Sequence, residues 1–352
     1  MSVVSSTERA GARTAPTLRV GIIGAGNIAR NHVQGYRAAG AEVIAIADTM
    51  PQVLARRARE WGVEHAFTDV GELLSLPGLD AVSVCTPNAA HHAATLAAAA
   101  ASVHVLCEKP ISLSLAEADE MIEACRRAGI VLAIDHHLRA NPAVVRARAM
   151  IEDGAIGRIT FVGLRQAHDW GGAAEVPVGF RTPTMAGGGT LLDNGCHLFD
   201  LARHLAGPVS EVFARTATLG FEIEVEDTAV VSLRFASGAL GSLETSWTST
   251  GWDQGFTVNG TRGSLEYTER QGRPVLRHVH REPGDRDFGS ATVTSWEHAG
   301  DGDHTRAVAA FVAAVRGERP VACSGEDGRE AVRLALASYQ SAASGLPVAI
   351  EA

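Results

Sequence analysis

Cysteine is scarce in this chain. Five residues, Cys85, Cys107, Cys125, Cys196 and Cys323, stand among 352, odd in number and scattered. No Cys-x-x-Cys occurs, which argues against a disulfide framework and a structural zinc site and fits a reducing cytosol. Positive charge is short as well. With 31 Lys and Arg against 40 Asp and Glu the net charge is -9, and no basic cluster occurs. Nucleic acid is therefore not an expected partner. Long apolar runs are missing. The longest, Leu96 to Cys107, is too short to span a bilayer and is interrupted by Ser102 and His104. Met1 to Thr17 lacks an apolar segment and reads as a disordered tail, not a signal peptide. A cytoplasmic protein is expected. No repeat occurs, and the alanine-rich stretch at Ala93–Ala101 is the one low-complexity feature.

What is present is an ordinary globular composition, 46% hydrophobic and 20% charged, in a chain long enough for two domains. From residue 18 to 138 strand-like and helix-like segments alternate. Candidate strands are Arg19–Ile23, Glu42–Ala47, Ala81–Cys85, His104–Cys107 and Val131–Asp135, with helices such as Pro51–Trp61, Ala90–Ala101 and Leu115–Ala128 between them. The strands are apolar on both faces, as in a parallel sheet covered by helices on two sides. Ser114 and Glu117 have the form of a capping box for the helix at Leu115. The pattern changes after Asn141-Pro142. A helix at Ala143–Asp153 is followed by strand-like runs at Arg158–Gln166, Glu211–Leu219, Asp227–Phe235, Ala239–Ser249, Phe256–Asn259, Ser264–Glu269, Pro274–His280 and Ala291–Glu297. Hairpin signals separate several of them, so a mostly antiparallel sheet is expected. One helical insert, Leu191–Leu205, interrupts the strands, and helices at His304–Arg316 and Glu326–Ser344 close the chain. The fold class is α/β. An N-terminal Rossmann domain (18–138) precedes an α+β domain (139–352) with a large open-faced sheet, and a ligand is expected in the cleft between them.

The run Val20-Gly21-Ile22-Ile23-Gly24-Ala25-Gly26-Asn27-Ile28-Ala29 reads as strand, glycine turn and helix start. Gly24 allows the tight turn. Gly26, without a Cβ, lets a pyrophosphate approach the backbone, and Ala29 takes the third small position. The amides at Asn27 and Ile28 face the phosphates at a helix N-terminus. Asp48 ends the next strand, about twenty residues on, where an acid accepts hydrogen bonds from a ribose diol. Asp48 favours NAD, since its charge repels a 2′-phosphate; Arg56 and Arg57 lie near enough to leave NADP open.

Three further segments carry chemistry. Glu108-Lys109-Pro110 ends a parallel strand, where a lysine can hydrogen-bond a reacting hydroxyl or carbonyl oxygen. Thr86-Pro87-Asn88 ends the preceding strand and should flank the nicotinamide ribose. Asp193 and His197 lie one turn apart on the inserted helix, whose Leu198, Leu201 and Leu205 are assigned to packing. A histidine beside a carboxylate suits a general base that takes a hydroxyl proton as hydride leaves the same carbon. Thr190-x-x-Asp193 is also a capping-box pattern, so Asp193 has a second possible duty. The doublets His91-His92 and His136-His137 are not chelating pairs, because adjacent residues diverge, and no metal is expected.

In their order, Gly-x-Gly-x-x-Ala, the acid after the second strand, Thr-Pro-Asn-x-x-His (Thr86 to His91), Glu-Lys-Pro and Asp-x-x-x-His (Asp193 to His197), these segments resemble the glucose–fructose oxidoreductase / inositol dehydrogenase / MocA family. The segment from Phe311 to Leu346 resembles that family's C-terminal pattern. One departure is Ser102-Val103-His104, where the family often shows Gly-Lys-His; it lies away from the chemistry. The resemblance implies an NAD(P)-dependent sugar or polyol dehydrogenase assembled into homodimers or homotetramers through its sheet. It implies that Lys109 orients the reacting oxygen, His197 is the acid/base and Asp193 supports the pair. Cofactor contacts are implied for Gly24, Gly26, Asn27, Ile28, Asp48, Thr86, Pro87, Asn88, His91, Glu108 and Lys109. Substrate contacts are implied for Lys109, His137, Arg139, His168, Trp170, Asp193 and His197. Within the resemblance, a redox-neutral glycosidase or epimerase that recycles NAD stays open, as does a non-enzymatic NAD-dependent sensor.

Overall fold

The computed structural model describes residues 17–351 apart from 171, 174, 271, 282–283, 285–289 and 298–301. The tail expected at the N-terminus lies, but for Thr17, outside the described residues.

The first sheet has six strands, β1 (Arg19–Ile23), β2 (Glu42–Ala47), β3 (His65–Phe67), β4 (Ala81–Val84), β5 (His104–Cys107) and β6 (Leu132–Ile134). Their order is β3-β2-β1-β4-β5-β6, with every neighbouring pair parallel. The chain direction of crossing reverses between β1 and β4. At that point the carboxyl ends of the strands open a crevice, which is where ligands bind in such sheets. Strand β4 is buried at all four residues, as an apolar strand covered on both faces must be. Helices α1 (Ala29–Ala38), α2 (Pro51–Trp61), α3 (Val70–Leu74), α4 (His91–Ala100) and α5 (Leu115–Ala128) connect the strands. Their ends follow local chemistry. Pro51 opens α2 and Gly62 closes it at φ 59°, and Ser114 caps α5 by accepting the Glu117 amide. The reciprocal half of that capping box is not made, because Glu117 turns to the Leu113 amide instead.

Helix α6 (Pro142–Glu152) leads into the second sheet. Its strands are β7 (Ile159–Ala167), β8 (Val209–Ala217), β9 (Thr228–Phe235), β10 (Leu240–Ser246), β11 (Asp253–Gly260), β12 (Gly263–Arg270), β13 (Arg273–His280), β14 (Thr292–Glu297) and β15 (Val348–Ala349). They run in the order β14-β13-β12-β11-β7-β10-β9-β8-β15, antiparallel except for β7 beside β10. Between β7 and β8 lie the short α7 (Pro183–Ala186) and the long α8 (Thr190–Ala206). Helix α8 packs on β7, β9 and β10, and nearly every residue from Thr190 to Ala202 is buried.

Helices α9 (Asp303–Val315) and α10 (Gly325–Ser344) return to the Rossmann sheet. Val308, Phe311 and Val312 of α9 join the core under β1 and β2, and α10 packs on α5, α8 and β8. The last fifty residues therefore tie the two sheets together, a connection that the alternation of segments does not reveal.

Candidate active site

The glycine turn has the geometry that a dinucleotide needs. Gly24 sits at φ +91° with its amide on the Ala47 carbonyl, and a Cβ there would stand 2.5 Å from the Cys85 carbonyl oxygen. Gly26 faces open space, with nothing within 4 Å of a Cβ. No side chain caps α1, so its N-terminus is left to an anion. Asp48 closes the turn by accepting the Ala25 amide at 2.8 Å and the Met50 amide at 2.8 Å. Arg57 braces the same turn through the Ala25 carbonyl and the Asn27 side chain and pairs with Glu60. Its guanidinium is buried in that bracing, so it does not present itself to a 2′-phosphate as the sequence left open. These features fit NAD.

Beyond the turn, a cavity of about 290 Å³ lies between the domains. Ile28, Thr86, Asn88, His91, Glu108, Lys109, His137 and His197 line it, together with Gln166, Phe180, Asn194, Trp252 and His304. Lys109 is the only lysine in the chain, the other basic residues all being arginine. Its Nζ donates to Asp193 Oδ1 at 2.5 Å and to the Asp193 carbonyl at 3.3 Å. Burial opposes a charge on Lys109, but the Asp193 carboxylate outweighs it and holds the pKa above the ordinary lysine value. The capping duty read for Asp193 is not the one observed. Gly189 is the N-cap of α8, and the carboxylate of Glu226 takes the Gly189 and Leu191 amides from across the fold. That frees Asp193 for Lys109, 84 residues away in the chain.

His197 is buried, with its Nδ1 3.4 Å from His136 Nδ1 and its ring edge-on to His137 at 4.6 Å. Burial pushes its pKa well below the ordinary histidine value, and the neighbouring His137, Lys109, His136 and His304 push the same way. His197 is thus neutral at physiological pH. His137 is stacked on His304 at 3.7 Å, and His304 Nδ1 is held by Asp135 at 3.0 Å. Behind them His32, Glu108, Asp135 and His304 bring their ligand atoms within 4.8 Å of one another. Glu108 bonds His32 at 2.9 Å and the Lys109 amide at 3.2 Å, so it sets the angle of the strand end that carries Lys109. This cluster was invisible in the sequence because its members come from four separate segments.

Other expected contacts are placed differently. The ring nitrogens of His91 lie 2.7 Å from the Pro110 carbonyl and 3.0 Å from the Thr86 carbonyl, and its one N–H donates to one of them, so it packs as a staple between the two strand ends. Asn88 donates to the Ala186 carbonyl and joins the domains at the cavity wall. Pro87 precedes a short 3-10 turn, 88–90. Arg139 is corrected most clearly. Its guanidinium grips Asp200 at 2.6 and 2.7 Å and Asp327 at 3.0 Å, away from the cavity. His168 and Trp170 stand one layer behind the wall. His168 accepts the Trp170 amide and stacks on Trp252, while Trp170 packs among Phe180 and Trp247. The wall itself is Phe180, Trp252, Gln166 and Asn194. Gln166 had a signal: it continues the inward series Val162, Leu164 on β7, where a polar residue is out of place unless it serves a ligand.

The segments matched by known families coincide with these parts. Residues 18–136 match the oxidoreductase family model with an NAD-binding Rossmann fold, and residues 144–266 match the GFO/IDH/MocA C-terminal domain. The chain belongs to the GFO/IDH/MocA family. Its relatives include 1,5-anhydro-D-fructose reductase of Ensifer adhaerens, 36% identical over 350 residues, covering 95% of this chain and 98% of that one. Myo-inositol 2-dehydrogenase of Thermotoga maritima is 33% identical and covers 92% of this chain and 96% of that one. Among solved structures, levoglucosan dehydrogenase in complex with NADH and levoglucosan aligns with a TM-score of 0.85 at 26% identity, over 96% of this chain and 100% of that one. This GFO/IDH/MocA protein is thus an enzyme, an oxidoreductase of the class that acts on sugar and polyol hydroxyls. None of its described helices is long and apolar enough to cross a membrane.

Proposed function

We propose that the enzyme oxidises one secondary hydroxyl of a cyclic polyol or sugar to a ketone, reversibly, with NAD. The observation that carries this reading is that Lys109, bonded to the Asp193 carboxylate, and the buried His197 line one cavity. The cavity walls support a hydroxyl-rich ligand. Thr86 Oγ1, His137 Nδ1 and Gln166 Oε1 belong to lining residues, are buried and have no partner in the protein. Buried polar atoms of this kind are satisfied by a ligand or by ordered water.

NAD, when bound, supplies the hydride acceptor. Gly24, Gly26, Asn27 and Ile28 would hold its pyrophosphate, Asp48 its ribose, and Thr86, Pro87, Asn88 and Glu108 the side nearest the reacting carbon. Lys109 donates a hydrogen bond to the reacting oxygen and stabilises negative charge as it develops there. His197 accepts the hydroxyl proton as general base and returns it in the reverse direction as general acid. Asp193 aims the ammonium. We assign the enzyme to the cytoplasm, in keeping with its five free buried cysteines, and to a homo-oligomer joined through the second sheet.

The test is formation of NADH by the purified enzyme with NAD and a panel of inositols, aldoses, anhydrosugars and glycosides. Turnover on one stereochemical set supports the reading. Absence of NADH across the panel, with a glycoside cleaved or a sugar epimerised, overturns it in favour of redox-neutral chemistry.

A further inference from the structure

Oxidation of a secondary alcohol releases a hydride and a proton. On the reading above the proton goes to His197 Nε2, and this inference rests on that assignment. While a sugar fills the cavity, its own ring covers the side of His197 that took the proton. Discharge to solvent from that side waits for product release.

His197 has a second outlet at its rear. Its Nδ1 meets His136 Nδ1 at 3.4 Å, and the two rings are edge-on at 85°. His136 is buried, and its Nε2 has no partner in the protein. It lines another cavity, of about 430 Å³, with Asp135, Arg139, Arg306, Phe311 and Cys323. That cavity reaches the surface at the exposed Val145 and Arg319. No residue lines both cavities. The hydrogen bond between His136 and His197 therefore joins the two cavities, as the His304–Asp135 bond does at 3.0 Å, and of the two it is the one that reaches His197. A buried imidazole nitrogen without a partner is costly unless water reaches it.

We propose that His136 is a proton relay linking His197 to water in this rear cavity. Before turnover His197 carries its proton on Nδ1 and donates to His136 Nδ1, and His136 carries its own proton on Nε2. The hydroxyl proton arrives on His197 Nε2. The Nδ1 proton crosses to His136 Nδ1, and the Nε2 proton of His136 leaves to water. Both rings end neutral, in the opposite tautomers, with one proton discharged. After product leaves, His197 Nε2 gives its proton to solvent, His136 Nδ1 returns one to His197 Nδ1, and His136 Nε2 regains one from the rear cavity. Ketone reduction starts from the second tautomer pair.

The surroundings suit two neutral rings. Burial lowers the pKa of both. Arg139 and Lys109 lower that of His136 further, against Asp200 and Asp135, while His137, Lys109, His136 and His304 face His197.

The test uses His136→Ala and His136→Gln in the full chain, with His197→Ala as control. The expected result is a fall in kcat for oxidation of about tenfold or more, short of the roughly 10²–10⁴-fold that the acid/base group itself contributes. The solvent isotope effect should rise, and imidazole in the buffer should restore the Ala variant, whose vacated space admits it, but not the Gln variant. In the free protein, ¹⁵N spectra should show His197 as the Nδ1–H tautomer, and as a mixture once His136 is replaced. The proposal is overturned if a folded His136→Gln protein keeps the wild-type kcat and isotope effect. It is also overturned if His136→Ala loses activity with no response to imidazole and an unchanged His197 tautomer, since that is a structural role alone. An active His197→Ala protein would sink the underlying acid/base reading. A dead His197→Ala beside fully active His136 variants would sink only the relay.

Discussion

Lys109 shows how much one residue's chemistry decides here. In a chain whose other basic residues are all arginine, the ammonium at the end of β5 is a compact point charge bonded to Asp193, and the proposed function has it meet a single reacting oxygen. A guanidinium is a planar fork and does not present charge in that way. Lys109→Arg should therefore cost about 10²–10³-fold in kcat, the range for losing one donor to a developing oxyanion, with the protein still folded. A kcat within about tenfold of wild type would show that the reacting oxygen is held by another group. The histidine makes a separate prediction. Its pKa is depressed by burial and by the cationic and imidazole neighbours around it. The base form then exists on the high-pH side of a value well under the ordinary 6.5. The rate of oxidation, as kcat/KM for the sugar at saturating NAD, should rise with pH through that low value and be level by about pH 7. An acid limb centred above 7 would contradict a neutral resting His197. That Lys109, Asp193 and His197 come together was legible because each sits at a fixed place on a regular element, a strand end or one turn of a helix. Arg139, His168 and Trp170 were not. A loop residue's partner is set by segments far away, as with Arg139 and Asp327, which are 188 residues apart.

At the scale of elements, the fold holds its central helix in register by polar contacts inside the core. The Arg139 pair with Asp200 fixes the start of α6 against the middle of α8, and Asp327 adds α10. Asp200 is fully buried, so removing its partner leaves an uncompensated charge. Arg139→Leu should lower unfolding free energy by about 3–5 kcal/mol, the usual result of breaking a buried pair from one side. Adding Asp200→Asn should recover part of that loss, because the two sites share one interaction. Chemical denaturation of the two variants measures both effects, and a loss under 1 kcal/mol would mean that the pair is idle. Glu226 makes a related case. Its carboxylate accepts two amides at the start of α8 and the Tyr339 hydroxyl at 2.9 Å. Glu226→Gln offers one acceptor where three donors converge, at a cost of about 1–3 kcal/mol, read as a lower denaturation midpoint with an unchanged slope. These long-range contacts explain why the elements were easier to read than their packing. The strands β1, β2, β5 and β9 and the helices α2, α5 and α8 follow from period and end signals within a residue or two. The three-residue β3, the single turn of α3 and the two-residue β15 carry too few residues to show any period.

The whole molecule raises the question of what lies against the second sheet. Its inner face is filled by α8 on β7, β9 and β10, by α10 on β8 and by α6 on β13. No described helix covers the outer face. There Val230 and Leu240 are about half exposed, at 51% and 52%; Val230 stands between Glu244 and Arg215 and Leu240 between Arg234 and Phe161, with Ser232, Ser242 and Gly163 among the small residues nearby. Arg165 crosses the same face and pairs with Glu244 and Asp253. Nine strands about 4.8 Å apart, with a rise of about 3.3 Å per residue, make a face of roughly 1,000 Å². A stable interface of standard size takes about 800 Å² from each partner. An open sheet face that mixes exposed apolar residues with paired charges of both signs suits a second copy of itself, because each chain then meets the same surface on the other. Sedimentation velocity should accordingly find a dimer or tetramer of the 36.8 kDa chain. Val230→Arg combined with Leu240→Arg should shift it toward monomer by placing four unpaired cations in each two-chain contact. The cavity between the domains lies on the other side of the sheet, so the same variant tests whether assembly is needed for turnover. A wild-type protein that sediments as monomer at all concentrations would leave this face for another partner and would remove the sheet from the account of assembly.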